Sequence, residues 1–280
     1  MPHKNILLGS LKDSFILIWK NKSIFILLFM LQIIFFAAFS AINLNYGVKM
    51  MESEKAIDGY LASLKLDDVS VASDILQQKN ILGDDPLLIS RNFNEIIKNF
   101  RVYLAYFFIL SIFFISAAWT MTNKMVYKTN FKISVNIFLK SLLISLFYLA
   151  LIFGFFFSIS SISFTQAAYD ASKLIAKYLL FSIFSILLAY FMFISLSLMH
   201  NTALNKIVQK TLIIGIKKIH YILAVYFINA LLFFLPLALL YYFIEKNPFI
   251  LLLSIILLVF SFIIGRVFLI NVVEKLSASK

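Results

Sequence analysis

The sequence predicts an all-α integral membrane protein with six transmembrane helices, and three observations lead there. Of 280 residues, 62% are hydrophobic and 14% charged, with a mean hydropathy of +0.96; a soluble domain is about 45–50% apolar and about 25% charged. Surface-to-volume scaling leaves a small domain too much exposed surface to hide that excess from water. Six stretches reach the roughly 20 apolar residues needed to cross a hydrocarbon core of about 30 Å. With 32 Phe but only 4 Pro and 7 Gly, the chain favours long helices over a barrel, and no stretch alternates apolar and polar residues as barrel strands do.

The spans read as about Ser23–Leu44, Val102–Thr122, Ser141–Phe164, Tyr178–Met199, Ile219–Phe243 and Phe249–Ile270, in a single membrane domain covering residues 1–280. Ahead of them, Leu7, Leu8, Leu11, Phe15, Ile18 and Trp19 recur at helical spacing, opposite Ser10, Asp13, Ser14 and Lys20. No small-residue cleavage site follows, so residues 5–20 read as an interfacial amphipathic helix rather than a signal peptide.

Orientation follows from the Lys and Arg count between spans. Lys4, Lys12, Lys20 and Lys22 precede the first span; Lys124, Lys128, Lys132 and Lys140 lie in the second loop; Lys206, Lys210, Lys217 and Lys218 lie in the fourth; Arg266, Lys275 and Lys280 close the chain. Against these stand two acids, Asp13 and Glu274, while the alternate loops nearly balance their charges. The expectation is a multi-pass protein of the cell membrane with both termini cytoplasmic. Trp19 and Trp119 fall at predicted inner boundaries, where amphipathic rings sit at headgroup level. Tyr148 and Tyr190 sit mid-span, so their hydroxyls need helix partners.

Basic amphipathic segments precede spans one, three and five (residues 5–22, 129–140 and 203–218), which suggests three units of an inner interfacial helix and a hairpin. Residues 45–101 form the one sizeable loop, expected to be a small helical cap on the outer face. Helical patterning runs over Val48–Leu66 and Ser90–Phe100, and Gly83-Asp84-Asp85-Pro86 reads as a turn.

Groups able to do chemistry are sparse. Cys is absent, which excludes disulfides and thiolate chemistry. His3, His200 and His220 lack metal spacing, and the loop acids Asp67, Asp68, Asp74, Asp84 and Asp85 lack the EF-hand pattern. No Walker A, GxGxxG or GxSxG motif occurs. No catalytic residue, metal or cofactor is expected. The 22 Lys against 3 Arg argue against bidentate phosphate recognition and a nucleic-acid partner.

Four features remain to be weighed as site candidates. Gln32, Asn229 and Pro236 could form an intramembrane polar site beside a broken helix, or the amides could simply bond neighbouring helices. Lys20, Lys22, Lys132, Lys140, Lys210, Lys217 and Lys218 could contact an anionic inner leaflet. Serines 158, 160, 161 and 163, with Ser182, Ser185, Ser195 and Ser197, read as close-packing positions. Arg266, near the expected inner end of the last span, reads as a snorkelling side chain.

Leu8-Gly9-Ser10-Leu11-Lys12-Asp13-Ser14-Phe15, followed by Trp19-Lys20-Asn21-Lys22 and the basic segments before alternate spans, resembles uncharacterised prokaryotic six-span proteins related to the membrane domain fused to some glycerophosphodiester phosphodiesterases. The resemblance implies a membrane module and carries over no catalytic residue. The expected function is a non-catalytic membrane module that supports a protein partner or organises lipid, alone or as a homo-oligomer. The alternative is a transporter or channel for a small neutral or hydrophobic solute.

Overall fold

The computed structural model describes residues 6–63, 87–159, 171–244 and 246–278. Nine α-helices are seen among them: α1 (Ile6–Lys20), α2 (Lys22–Ile42), α3 (Val48–Ser63), α4 (Leu88–Tyr127), α5 (Phe131–Ile159), α6 (Ala171–Ser197), α7 (Leu204–Lys217), α8 (Ile219–Phe243) and α9 (Pro248–Ala278). A π-helical turn, Asn43–Gly47, joins α2 to α3 without a break. Six helices are long and apolar enough to cross a membrane: Lys22–Ala62, Leu88–Tyr127, Phe131–Ser158, Ile175–Ser197, Ile219–Phe243 and Pro248–Ala278. The protein is an all-α, six-span, multi-pass membrane protein.

Local chemistry sets several boundaries. Asn130 Oδ1 accepts from Ile133 N at 3.0 Å and starts α5. Asn247 Oδ1 accepts from Phe249 N at 3.0 Å and Ile250 N at 3.3 Å, with Pro248 at the first helical position of α9. Both are side-chain caps on otherwise orphan N–H groups, and proline at the first position loses no bond.

The chain divides into two compact units. The first comprises Met1–Phe36, Ser111–Ala150 and Phe184–Lys280; the second comprises Ala37–Leu110 and Leu151–Ile183. The axis of the first is the C-terminal half of α9. Val259, Ile263, Ile264, Val267, Phe268, Ile270, Val272 and Val273 are all buried there. Ile18 of α1, Leu28 of α2, and Ala118 and Met125 of α4 pack against Val259, Ile263, Ile264 and Val267 in one cluster.

The last helix outruns its expected end at Ile270, and α1 is the reason. Asn271 Nδ2 donates to Ser14 Oγ at 2.9 Å, and Lys275 Nζ lies 2.8 Å from Asp13 Oδ2. The polar residues that looked like the end of a span are matched by the polar face of α1. Leu8, Phe15 and Trp19 of α1 stay exposed, as an interfacial helix requires. Two of the three expected interfacial segments are separate helices, α1 and α7. The third departs from expectation: residues 131–140 run straight into α5 as one 29-residue helix, because nothing between Asn130 and Ile159 stops the backbone hydrogen bonding.

In the second unit, aromatic pairs carry the packing. Phe39 meets Phe107 at 5.2 Å, Tyr46 stacks on Tyr106 at 5.6 Å, and Phe108 meets Phe153 at 5.2 Å. The expected cap helices are present in Val48–Ser63 and from Leu88 onward, but they continue the spans instead of standing apart. At about 1.5 Å per residue, the 40 residues of α4 run about 60 Å, twice the hydrocarbon thickness. The turn at residues 83–86, the acids Asp67, Asp68, Asp74, Asp84 and Asp85, and serines 160, 161 and 163 lie outside the described residues. So do His3, Lys4 and Lys280.

Candidate functional site

Two of the expected intramembrane residues come together, on either side of α9. Gln32 from α2 is 3% exposed and Asn229 from α8 is 9% exposed. Asn229 Nδ2 donates to the Gly265 carbonyl at 3.3 Å, and Arg266 Nη2 donates to Gln32 Oε1 at 3.4 Å. Gly265 makes the first approach feasible: a Cβ there would sit 3.3 Å from the Asn229 amide. Gln32, Asn229 and Arg266 are therefore converging neighbours, although 234 positions separate Gln32 from Arg266 in the chain.

These three residues line a cavity of about 470 Å³. Its walls are aromatic, with Phe36, Phe114, Trp119, Phe193, Tyr226 and Phe262 foremost. Two buried polar atoms at its rim lack a hydrogen-bond partner: Arg266 Nε and Asn229 Oδ1. No carboxylate faces Arg266 among the described residues. The snorkelling expectation for Arg266 is thus corrected. Because α9 continues to Ala278, Arg266 lies three turns inside the helix and turns inward to Gln32. A similar correction applies to Trp119, which is 3% exposed and stacks on Phe193 at 6.1 Å. Its helix runs eight residues further to Tyr127, so the indole is part of the core. Trp19, by contrast, is 74% exposed, with Lys22 Nζ 4.5 Å from the centre of its ring.

Pro236 is buried in α8 but is not on the cavity wall. Its missing N–H would leave the Leu232 carbonyl unbonded, four residues back. Ser261 Oγ donates to that carbonyl at 3.0 Å. The proline is thereby accommodated by a hydroxyl from the next helix, a common solution inside membranes.

The mid-span tyrosines find the partners their depth demands. Tyr190 Oη donates to the Gly215 carbonyl at 2.7 Å, and Tyr148 Oη lies 3.4 Å from Ser195 Oγ. Tyr226 Oη, on the cavity side, donates to the Tyr190 carbonyl at 3.2 Å. Ser195 also bonds Thr211 Oγ1 of α7 at 3.0 Å. These hydroxyls join helices and none of the serines lines the cavity.

A second polar region lies in the first unit, between α7 and the end of α9. Lys210, Lys217 and Lys218 surround a pocket of about 430 Å³ floored by Ile213, Ile214 and Leu276. Lys20, Lys22 and Lys132 are exposed. Lys140 departs from the lipid-contact expectation. It is partly buried, and its ammonium donates to the Thr202 carbonyl at 3.3 Å and the Met199 carbonyl at 3.5 Å. It satisfies carbonyls just past the end of α6, a favourable place for a cation.

Among the described residues, His200 and His220 contact different partners. His200 stacks on Tyr127 at 4.0 Å, while His220 meets Tyr221 at 4.3 Å and Asp13 pairs with Lys275. Burial holds the His200 imidazole below its ordinary range, opposed by the Glu274 carboxylate and aided by Lys140. Among the described residues, no cluster of three His, Asp or Glu side chains could hold a metal.

Sequence reasoning found Gln32 and Asn229, singled out Arg266 but read it as snorkelling, and missed the aromatic walls. A detectable signal existed in the Gly265-Arg266 pair inside a continuous apolar run. No family model, curated protein or solved structure matches the chain.

Proposed function

We propose that the protein is a non-catalytic module of the cell membrane that organises lipid beside a protein partner or a second copy of itself. The excess of Lys and Arg in alternate loops supports a cytoplasmic position for both termini. The observation that carries the reading is the convergence of Lys210, Lys217 and Lys218 on an apolar-floored pocket between α7 and the end of α9. Basic side chains at an anionic surface each gain about 1 kcal/mol, and Ile213, Ile214 and Leu276 supply the apolar contact an acyl chain needs.

Reconstitution in neutral and in anionic bilayers tests this reading. Greater thermal stability and partner capture are expected in the anionic bilayer, with the gain lost in a Lys210→Gln, Lys217→Gln, Lys218→Gln variant. Equal behaviour in both bilayers contradicts it. The absence of native cysteine makes orientation directly testable: Ser277→Cys should resist an impermeant maleimide in intact cells while Glu54→Cys reacts.

A second reading, a carrier or channel for a small neutral or hydrophobic solute, is favoured by the meeting of Gln32 and Asn229 at a cavity. Pro236 does not contribute to that wall. Flux of such a solute into proteoliposomes is the deciding measurement, and no flux above empty vesicles removes the reading.

A further inference from the structure

We propose that the aromatic cavity binds an amphiphilic anion, a carboxylate or phosphate head on an apolar chain, with Arg266 as the countercharge. This goes beyond lipid contact at the lysines, because it concerns a different site and a single, partly buried cation within a span.

The argument begins with the guanidinium. Arginine stays protonated in proteins and offers five N–H donors in a fixed fork. Here one donor reaches Gln32 Oε1, at a long 3.4 Å, and Nε reaches nothing. A neutral amide cannot cancel the charge, and charged residues within spans are rare, interior-facing and functional by default. With no carboxylate beside Arg266 among the described residues, the protein leaves its positive charge for something else to neutralise. Arg is the side chain best suited to take an oxyanion through two parallel bonds.

The walls then decide what kind of anion. Phe36, Phe114, Trp119, Phe193 and Phe262 make the enclosure almost wholly apolar. A free inorganic anion would exchange its hydration shell for aromatic faces, which is unfavourable. A neutral apolar molecule would fill the walls and leave the cation uncompensated. An acidic head joined to a hydrocarbon chain satisfies both parts. The volume, about 470 Å³, falls within the 300–1,000 Å³ usual for such sites. Gly265 and Asn229 add a neighbouring polar edge, where Asn229 Oδ1 is also without a partner and can take the proton of a monoprotonated phosphate head.

Trp119 provides a built-in reporter. It is one of two tryptophans, so Trp19→Phe leaves a single indole, on the cavity wall. In neutral detergent, dibrominated stearic acid at pH 8 and its methyl ester are compared as quenchers of Trp119 in that variant. The acid is expected to quench saturably at about tenfold lower concentration than the ester, a difference equivalent to about 1.4 kcal/mol. Dodecyl phosphate should relieve the quenching, whereas inorganic phosphate should not. Adding Arg266→Gln should erase the advantage of the acid, and Arg266→Lys should restore part of it. Equal quenching by acid and ester overturns the proposal without needing any Arg266 variant. So does an Arg266→Gln protein that keeps the preference. Competition by inorganic phosphate as strong as that by dodecyl phosphate would instead mark a site for a water-soluble anion.

Discussion

Two places in the first unit collect positive charge, and they do so under opposite conditions. At the lysine pocket, flexible ammonium groups stand near the protein surface, within reach of water or a lipid phosphate, and Lys210 Nζ also donates to Thr202 Oγ1 at 3.4 Å. At the aromatic cavity, a single guanidinium is held between α2 and α9 with an apolar enclosure in front of it. The contrast shows how burial changes the meaning of a charge. Exposed ion contacts are screened and worth little individually, so the lysine pocket should prefer anionic surfaces broadly. A desolvated cation interacts strongly and is costly without a partner, so the cavity should discriminate sharply between a charged and an uncharged head.

The largest expected effect breaks the comparison at its buried side. Replacing Arg266 with Met removes the countercharge and fills part of the space with apolar volume. Binding of dodecyl phosphate should fall by about tenfold or more, equivalent to about 1.4 kcal/mol or above. The ligand-free protein should melt at the same temperature or higher, because removing an uncompensated buried charge in favour of apolar packing is often stabilising. Loss of both binding and stability would point to a structural role for the arginine.

Next comes the support of the exposed side. A Cβ at Gly215 would lie 2.8 Å from Phe191 Cε1, so in Gly215→Ala either the Phe191 ring or the α7 backbone must shift. Overpacking of that kind costs about 1–3 kcal/mol, measurable as a lower melting temperature in detergent. It should weaken the preference for anionic bilayers while leaving Trp119 quenching unchanged. The two sites would then be separable by substitution.

A smaller effect is expected at the proline. Ser261→Ala withdraws the hydroxyl from the Leu232 carbonyl and should cost about 1 kcal/mol, read by thermal denaturation. Pro236→Ala restores the missing N–H, so the same serine change made in that background should cost less.

The smallest effect concerns pH. His200 has its folded-state affinity for protons lowered chiefly by burial, so the unfolded chain binds more protons as pH falls below about 6.5. Stability present at neutral pH should therefore decline as the pH drops toward the lowered value. His200→Gln should flatten that decline in a melting-temperature profile from pH 7.5 to 5. The neighbours that set the response are Tyr127, Glu274 and Lys140. The cavity preference for an acidic head, which depends on Arg266, should not follow the same profile.

The spans and α1 were readable from sequence because hydropathy and helical spacing are local properties. Their ends were less readable where tertiary contacts override composition. Asn271 and Lys275 look like the exit from a membrane, yet Ser14 and Asp13 on α1 accompany them and α9 continues to Ala278. Arg266 was misread for the same reason: its depth depends on where the helix stops. Gln32 and Asn229 were recognisable as unusual amides, but their convergence on Gly265 and Arg266 requires α2 to pack against the C-terminal pair α8 and α9, with 234 positions between Gln32 and Arg266. Pro236 was grouped with Asn229 by helical spacing, whereas its consequence is met by Ser261 from a different helix. The aromatic walls were hidden by abundance, since 32 Phe residues give no single one a distinguishing signal.

Native mass spectrometry of protein released gently from detergent compares the two charged sites in one measurement. Wild-type protein is expected to retain a bound amphiphile with an acidic head. The triple lysine-to-glutamine variant should retain it too, while Arg266→Gln should have lost it. The same adduct on Arg266→Gln as on wild type, or adducts that are only neutral, would contradict the claim that this buried guanidinium selects the ligand.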